Sequence, residues 1–181
     1  MALASVQDVL SFWFDELTPQ QWFNTSAEVD EAIETRFAQT HDAASRGELF
    51  DWRETPDGRL AEIIVLDQFS RNLFRNDPRS FATDTLALVL AQEAIAAGDD
   101  RRINPDRLAF LYMPFMHAES LAMHEIAEKL FDRPGMEDNL KSLRSHTKVL
   151  ETFGRYPHRN AIVGRDSTAD EIEFLKDGRG F

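Results

Sequence analysis

An all-α fold is predicted by three observations on this 181-residue sequence. Apolar residues recur at helical spacing, capping residues precede those runs, and no stretch alternates apolar and polar residues as a half-buried strand does. Val-, Ile- and Thr-rich runs are scarce as well. The expectation is about seven helices in antiparallel pairs, packed around a central helix over 60–75. A chain of this length fits a single domain over 1–181 with a real core.

The first helix follows from Val6, Val9, Leu10, Trp13, Phe14 and Leu17, which keep the i, i+3, i+4, i+7 rule. Ser5 is its N-cap, and Thr18-Pro19 ends it. Trp22 and Phe23 fall in a short connection, where they are expected to plug the core. Ser26 caps a long second helix carrying Val29, Ile33 and Phe37 and closed by Gly47, with Glu31 and Glu34 facing outward. Leu49, Phe50 and Trp52 then lead into Thr55-Pro56-Asp57-Gly58, a turn signal.

The central helix is apolar on two sides. Leu60, Ile63, Ile64 and Phe74 make one stripe, and Val65, Leu66, Phe69 and Leu73 make the other. Such a helix needs neighbours on both flanks. Asp67 and Arg71 nevertheless fall inside the first stripe, with Gln68, Asn72 and Arg75 along its edge. Charges buried there are costly unless paired. They form a structural network or they line a pocket.

Asn76-Asp77-Pro78 stops this helix, because proline disfavours helix in the residue before it. Thr83 caps the next one, which carries Leu86, Val89, Leu90 and Ile95 and ends at Gly98. Asn104-Pro105 opens a long apolar pattern from Leu108 to Phe131, in which Pro114 should kink or break the helix. Arg133-Pro134-Gly135 is a turn, and a sixth helix runs to about Phe153. Residues 154–165 look largely non-helical, and Thr168 with Glu171 forms a capping box for a short last helix.

Composition narrows the function. A formal net charge of -12 argues against broad nucleic-acid or anionic-membrane binding, since both need a positive footprint. The chain has no cysteine, which removes disulfides, thiol nucleophiles and thiolate metal sites together. Its N-terminus shows no basic region followed by an apolar run, and no stretch is long enough to span a bilayer, so a cytoplasmic protein is expected.

Unusual polar residues gather in three segments: 67–75, 117–124 and 155–165. In the second, His117, Ser120 and His124 are expected on one helical face, with Glu119 beside Tyr112 and Met116. In the third, Arg155, His158, Arg159, Asn160 and Arg165 crowd a loop. Arginine suits bidentate contact with carboxylate or phosphate, so this clustering in an acidic chain suggests a local anion site. The alternative is that the arginines tie helices together through carboxylates and helix C-terminal carbonyls. His41 and His146, set among polar residues, are expected at the surface.

Specific catalytic motifs are absent. His124-Glu125 is followed by Glu128 where the zinc-protease helix needs histidine. His117-Ala118-Glu119 matches only the first half of the zinc-deaminase signature, whose cysteines this chain lacks. A His117, His124 and carboxylate metal site remains a minor alternative, and no metal is assigned. No nucleophile elbow, phosphate-cradling loop or dinucleotide fingerprint is present, so no cofactor is expected.

Five stretches together carry a resemblance: Phe12-Trp13-Phe14, Leu66-Asp67-Gln68-Phe69-Ser70-Arg71-Asn72, Ala82-Thr83-Asp84, Tyr112-Met113-Pro114-Phe115-Met116-His117, and Phe153-Gly154-Arg155-Tyr156-Pro157-His158-Arg159-Asn160. In that order they resemble the bacterial domain-of-unknown-function 924 family over essentially the whole chain. The resemblance implies an all-α, tetratricopeptide-like helical fold. No repeated tetratricopeptide signature is visible in the sequence itself. Ser70 departs from the family's usual proline, and Ala118 from its usual serine; neither change removes a charged residue. The family implies no activity.

Two functions follow as expectations. The first is an enzyme or binder for a small anionic ligand bearing phosphate or carboxylate, with hydrolysis as the reaction type. His117 and His158 are its proton-transfer candidates, with Asp67 and Glu119 completing the catalytic set. Gln68, Arg71, Asn72, Arg75, Arg155, Arg159, Asn160 and Arg165 would hold the ligand. The second is a non-catalytic, tetratricopeptide-like interaction module. Neither fixes an oligomeric state.

Overall fold

The computed structural model describes residues 3–176, and among them every regular element is helical. Nine continuous helices are present among the described residues, against the seven expected. Two causes account for the difference. Thr18 reciprocally caps a short helix, Pro19–Phe23, where only a connection was expected. The long apolar pattern after Asn104 divides into Leu108–His117 and Leu121–Phe131. That break falls after His117; the first of the two helices continues through Pro114.

Caps legible in the sequence do their work. Ser5 and Asp8 form a capping box at Val6–Ser11, which widens into a π-helical turn, Phe12–Glu16. Ser26 accepts from the Val29 amide at the start of Ala27–Ser45. Thr168 and Glu171 reciprocally cap Ala169–Lys176, with bonds of 2.7 and 3.3 Å.

The central helix begins earlier than expected, because Thr55-Pro56-Asp57-Gly58 is a helix start. Thr55 caps Pro56–Ile64, proline takes the first turn, and Gly58 lies inside. A Cβ on Gly58 would stand 1.9 Å from the Trp52 carbonyl oxygen, so close approach of Trp52 requires glycine here. A π-helical turn, Val65–Phe69, follows, and Ser70–Leu73 completes the helix. Asn76, with φ 59°, turns the chain away.

The backbone divides into two compact units. One comprises the chain up to Arg75 together with Arg79–Pro114; the other takes Asn76–Pro78 and the chain from Phe115 onward. In the first unit, Val6–Ser11, Ala27–Ser45 and Asp84–Ala96 all pack on the central helix. Phe12, Phe37 and Phe69 meet there, with ring centroids 4.9–6.1 Å apart. Trp13 lies edge-on to Phe110 and tilted to Phe69. Trp22 donates its indole N–H to the Trp13 carbonyl at 2.7 Å, but Phe23 is 65% exposed and plugs nothing. On Asp84–Ala96 the buried face is Ala87, Leu90, Ala91 and Ala94, while Val89 is exposed. Alanine there lets this helix come close to the central one.

In the second unit, Leu121–Phe131 packs against Glu137–Phe153, and Ala169–Lys176 against the short 3₁₀ turn Pro157–Arg159. Val149, Leu150 and Tyr156 form a core that Phe153 and Phe174 flank.

Candidate functional site

The candidate residues of 67–75 belong to the first unit. Asp67 and Gln68 sit in the π-helical turn and are buried, with Gln68 Nε2 donating to Asp67 Oδ2 at 2.5 Å and to Met113 Sδ at 3.6 Å. Arg71 donates to the Asp67 carbonyl one turn back. Its guanidinium also lies 3.4 Å from Asp67 Oδ1 and 3.1 Å from Asp84 Oδ1. Burial opposes charge on Arg71, but Asp67 and Asp84 outweigh it and hold the proton more firmly than usual. Asn72 and Arg75 both reach Asp30 on the second long helix, each with a 2.8 Å bond to its Oδ1. Polar residues of the central helix are thus met by acidic partners on neighbouring helices.

Sequence reading missed three buried polar pairings in this unit. Glu62 is fully buried and receives Arg53 through two bonds of 2.7 Å. Asp99, also buried, takes Arg59 and Arg102 at 3.1 Å each. His41, expected at the surface, is only 5% exposed and bonds Ser70 Oγ at 2.7 Å. Ser70 and Thr83 lie 2.8 Å apart and both donate to the Leu66 carbonyl, at 2.6 and 2.7 Å. Thr83, correctly placed as a helix start, therefore spends its hydroxyl on the central helix instead of its own amides. A serine contacting a histidine resembles a nucleophile and its base, but Ser70 is completely buried.

The second unit gathers both remaining segments, 117–124 and 155–165. Glu119 lies beyond the end of Leu108–His117, so it does not share a helical face with Tyr112 and Met116, nor do His117 and His124 lie on one helix. Arg165 grips Glu119 with two bonds of 2.7 and 2.8 Å, and the Tyr156 amide adds a third at 2.7 Å. Burial pushes the Glu119 carboxyl up, and these donors bring it below its ordinary value. Arg155 holds Glu171 through bonds of 2.6 and 2.8 Å, which lowers that carboxyl to about 2. Asn160 is fully buried and donates to Ser167 Oγ at 3.1 Å.

Three histidines of this unit surround Tyr156. His158 stacks on its ring at 5.7 Å, His146 meets it edge-on at 5.6 Å, and His124 is tilted to it at 6.4 Å. The Tyr156 hydroxyl donates to the Met116 carbonyl at 2.6 Å and lies 3.0 Å from His124 Nε2. His124 Nδ1 meets Thr147 Oγ1 at 2.8 Å. Arg159, 8% exposed, carries its guanidinium 4.8 Å from the Tyr156 ring centre and donates to the His117 carbonyl at 3.0 Å. His146, also expected at the surface, is 9% exposed and pairs Nδ1 with the Ser142 carbonyl at 2.8 Å. Burial, with repulsion from His117, His124 and His158, pushes His146 down to about 3. Burial likewise lowers His124, which His117 depresses further.

Chemically, this gives two neutral, buried imidazoles, two half-buried ones at positions 117 and 158, a phenol and a guanidinium. Imidazole is a proton-transfer group and guanidinium binds oxyanions. Among the described residues no group of three or more His, Asp or Glu side chains is arranged to hold a metal ion. No helix there is long and apolar enough to cross a membrane.

The family model for "Bacterial protein of unknown function (DUF924)" matches residues 9–179. The chain is also similar to a solved structure, a protein of unknown function, ATU0120, from Agrobacterium tumefaciens. The two share 39% identity and a TM-score of 0.90 over 96% of this chain and 97% of that one. No curated protein matches.

Proposed function

The chain belongs to the family of bacterial proteins of unknown function DUF924, and within it we propose a binder of a small anionic compound, bearing phosphate or carboxylate, at the histidine–tyrosine–arginine cluster of the second unit. One observation carries this reading. Four of the five histidines of the chain stand in that unit, three of them around Tyr156, with Arg159 against the same ring. In this reading the candidate residues divide by what they touch. Asp67, Arg71, Asn72 and Arg75, with Glu119, Arg155 and Arg165, serve as scaffold, since carboxylate–cation or carboxylate–amide pairs occupy them. Gln68 and Asn160 support that scaffold through short local bonds.

His117, His158 and Arg159 then meet the ligand. Arg159 supplies the fixed positive charge, and the half-buried imidazoles supply an exchangeable proton. The reaction class is hydrolysis: an imidazole accepts a proton from water as its oxygen attacks the bound ester, the ester bond breaks, and the imidazolium returns that proton to the departing alcohol oxygen. Thermal melts with and without inorganic phosphate test the binding step. Phosphate at about a hundredfold excess over its Kd should add about 2.7 kcal/mol to the parent protein. The gain should vanish in Arg159→Met. A parent melting temperature indifferent to both phosphate and citrate would overturn the reading.

A further inference from the structure

Apart from the second unit, we infer that the first unit carries a binding site of its own, for a small aromatic carboxylate, on the ledge formed by Phe14, Trp22, Phe23 and Arg107. Phe14 lies in the π-helical turn Phe12–Glu16, and Trp22 and Phe23 close the short helix Pro19–Phe23. Trp22 is the hub of the ledge. Its ring stands at 76° to Phe14, 82° to Phe110 and 87° to Phe23, with centroids 5.0–6.3 Å apart. Its indole N–H is spent on the Trp13 carbonyl, which fixes the ring in one orientation. Phe110 is buried, Phe14 and Trp22 are half-buried, and Phe23 is largely exposed. A lone exposed phenylalanine is ordinary; this one continues a run of rings from the core to the surface.

Arg107 decides what such a ledge accepts. Its guanidinium carbon lies 4.8 Å from the centre of the Phe14 ring. Clustered aromatic faces by themselves suit cations, but here a cation already covers Phe14 and repels another. Arg36, Arg53, Arg59, Arg71 and Arg75 of the same unit each hold a carboxylate. Half-buried Arg107 pairs with none among the described residues. The carboxylates near these residues in sequence are placed elsewhere: Glu16 takes two bonds from Arg36, and Asp15 and Asp106 are exposed. A guanidinium stacked on a ring keeps its in-plane N–H groups, and two of them match the two oxygens of a carboxylate. Trp22 and Phe23 offer apolar area beside it, suited to an aromatic body packed edge-to-face or offset. One guanidinium and one aromatic ledge thus select a ligand with a single carboxylate and a ring.

Phenylacetate is the probe, and three analogues dissect it: acetate lacks the ring, phenylacetamide lacks the charge, and phenethylamine reverses the charge. Proton–nitrogen correlation spectra of the parent should show the Trp22 indole signal shifting saturably with phenylacetate, with the Trp52 signal unmoved. Acetate and phenylacetamide should bind at least about tenfold more weakly, and phenethylamine should not bind. Arg107→Gln should lose about tenfold in affinity, and Arg107→Lys should recover part of that loss. Phe23→Ala should weaken phenylacetate by about threefold and leave acetate unchanged. Unchanged melting temperatures show that these variants stay folded, and the analogue series in the parent needs no variant at all. Equal binding of phenylacetate and phenylacetamide overturns the inference, as does undiminished binding in Arg107→Gln. Tighter binding of phenethylamine, or no response to phenylacetate up to its solubility, overturns it too. A response only to a peptide carrying a phenylalanine beside a glutamate also overturns it and makes the ledge a protein-docking face. None of these results touches the second-unit reading, which phosphate and Arg159→Met decide.

Discussion

The two units handle buried polar residues in opposite ways. In the first, four arginines on or beside the central helix each pair with a carboxylate on another element: Arg71 with Asp84, Arg75 with Asp30, Arg53 with Glu62, Arg59 with Asp99. In the second, two such pairs, Arg155 with Glu171 and Arg165 with Glu119, frame the loop, and three histidines gather around the Tyr156 ring. Matched charges consume one another's chemistry and leave rigidity. An excess of one type leaves chemistry available, at some expense in stability. Under the proposed reading, polar residues act as mortar in one unit and as a ligand surface in the other.

The strongest way to break this contrast is at Arg71. Arg71→Met leaves Asp67 and Asp84 without their shared cation and should cost about 3–5 kcal/mol, read by thermal or urea unfolding. A loss below about 1 kcal/mol would mean that the first unit is not held by its matched charges. Gly58→Ala should come next, at about 3 kcal/mol, because the Trp52 carbonyl occupies the space a methyl needs. A variant as stable as the parent would show that this approach is not required.

Acid sharpens the contrast from the other side. His146 and His124 are held neutral by burial, so the unfolded chain binds protons that the folded one refuses. Stability therefore falls as pH drops below about 6.5, by at most about 1.4 kcal/mol per pH unit for each group. For His146 the loss continues to about 3. His41 adds a similar slope in the first unit. Hydrogen exchange on acidification should open the second unit before the first, and His146→Phe should flatten its response. Equal opening of both units would erase the distinction. The smallest effect is expected at an exposed pair: Arg144→Ala, which frees Glu128, should cost less than about 1 kcal/mol in the same unfolding assay.

Local signals in the sequence carried far. Ser5, Ser26 and Thr168 were readable as caps because a cap needs only its own side chain and the next few residues. The central helix was readable because its apolar residues are dense enough to require neighbours on two sides. What stayed hidden depends on partners distant along the chain. His41 and His146 have polar sequence neighbours, yet each lies on the inward face of a long helix, set by packing that no short window contains. Gly58 read as a turn residue for the same reason, since its constraint comes from the Trp52 carbonyl approaching from an adjoining element. Candidate site residues were found by type, but which of them stand in carboxylate–arginine pairs required knowing that Glu119 meets Arg165, 46 positions later.

The π-helical turn Val65–Phe69 makes the central helix a register adjuster. Such a turn holds one residue more than the α-helical turn it replaces, so the segments before and after it keep separate rotational phases. Leu60, Ile63 and Ile64 are set by one phase and Ser70–Leu73 by the other. A one-residue deletion within 65–69 can be absorbed by closing the wide turn, whereas a deletion within 56–64 swings the whole apolar stripe away from its neighbours. Length variation among related chains is therefore expected to collect at this turn, the point where the helix can gain or lose a residue without unwinding.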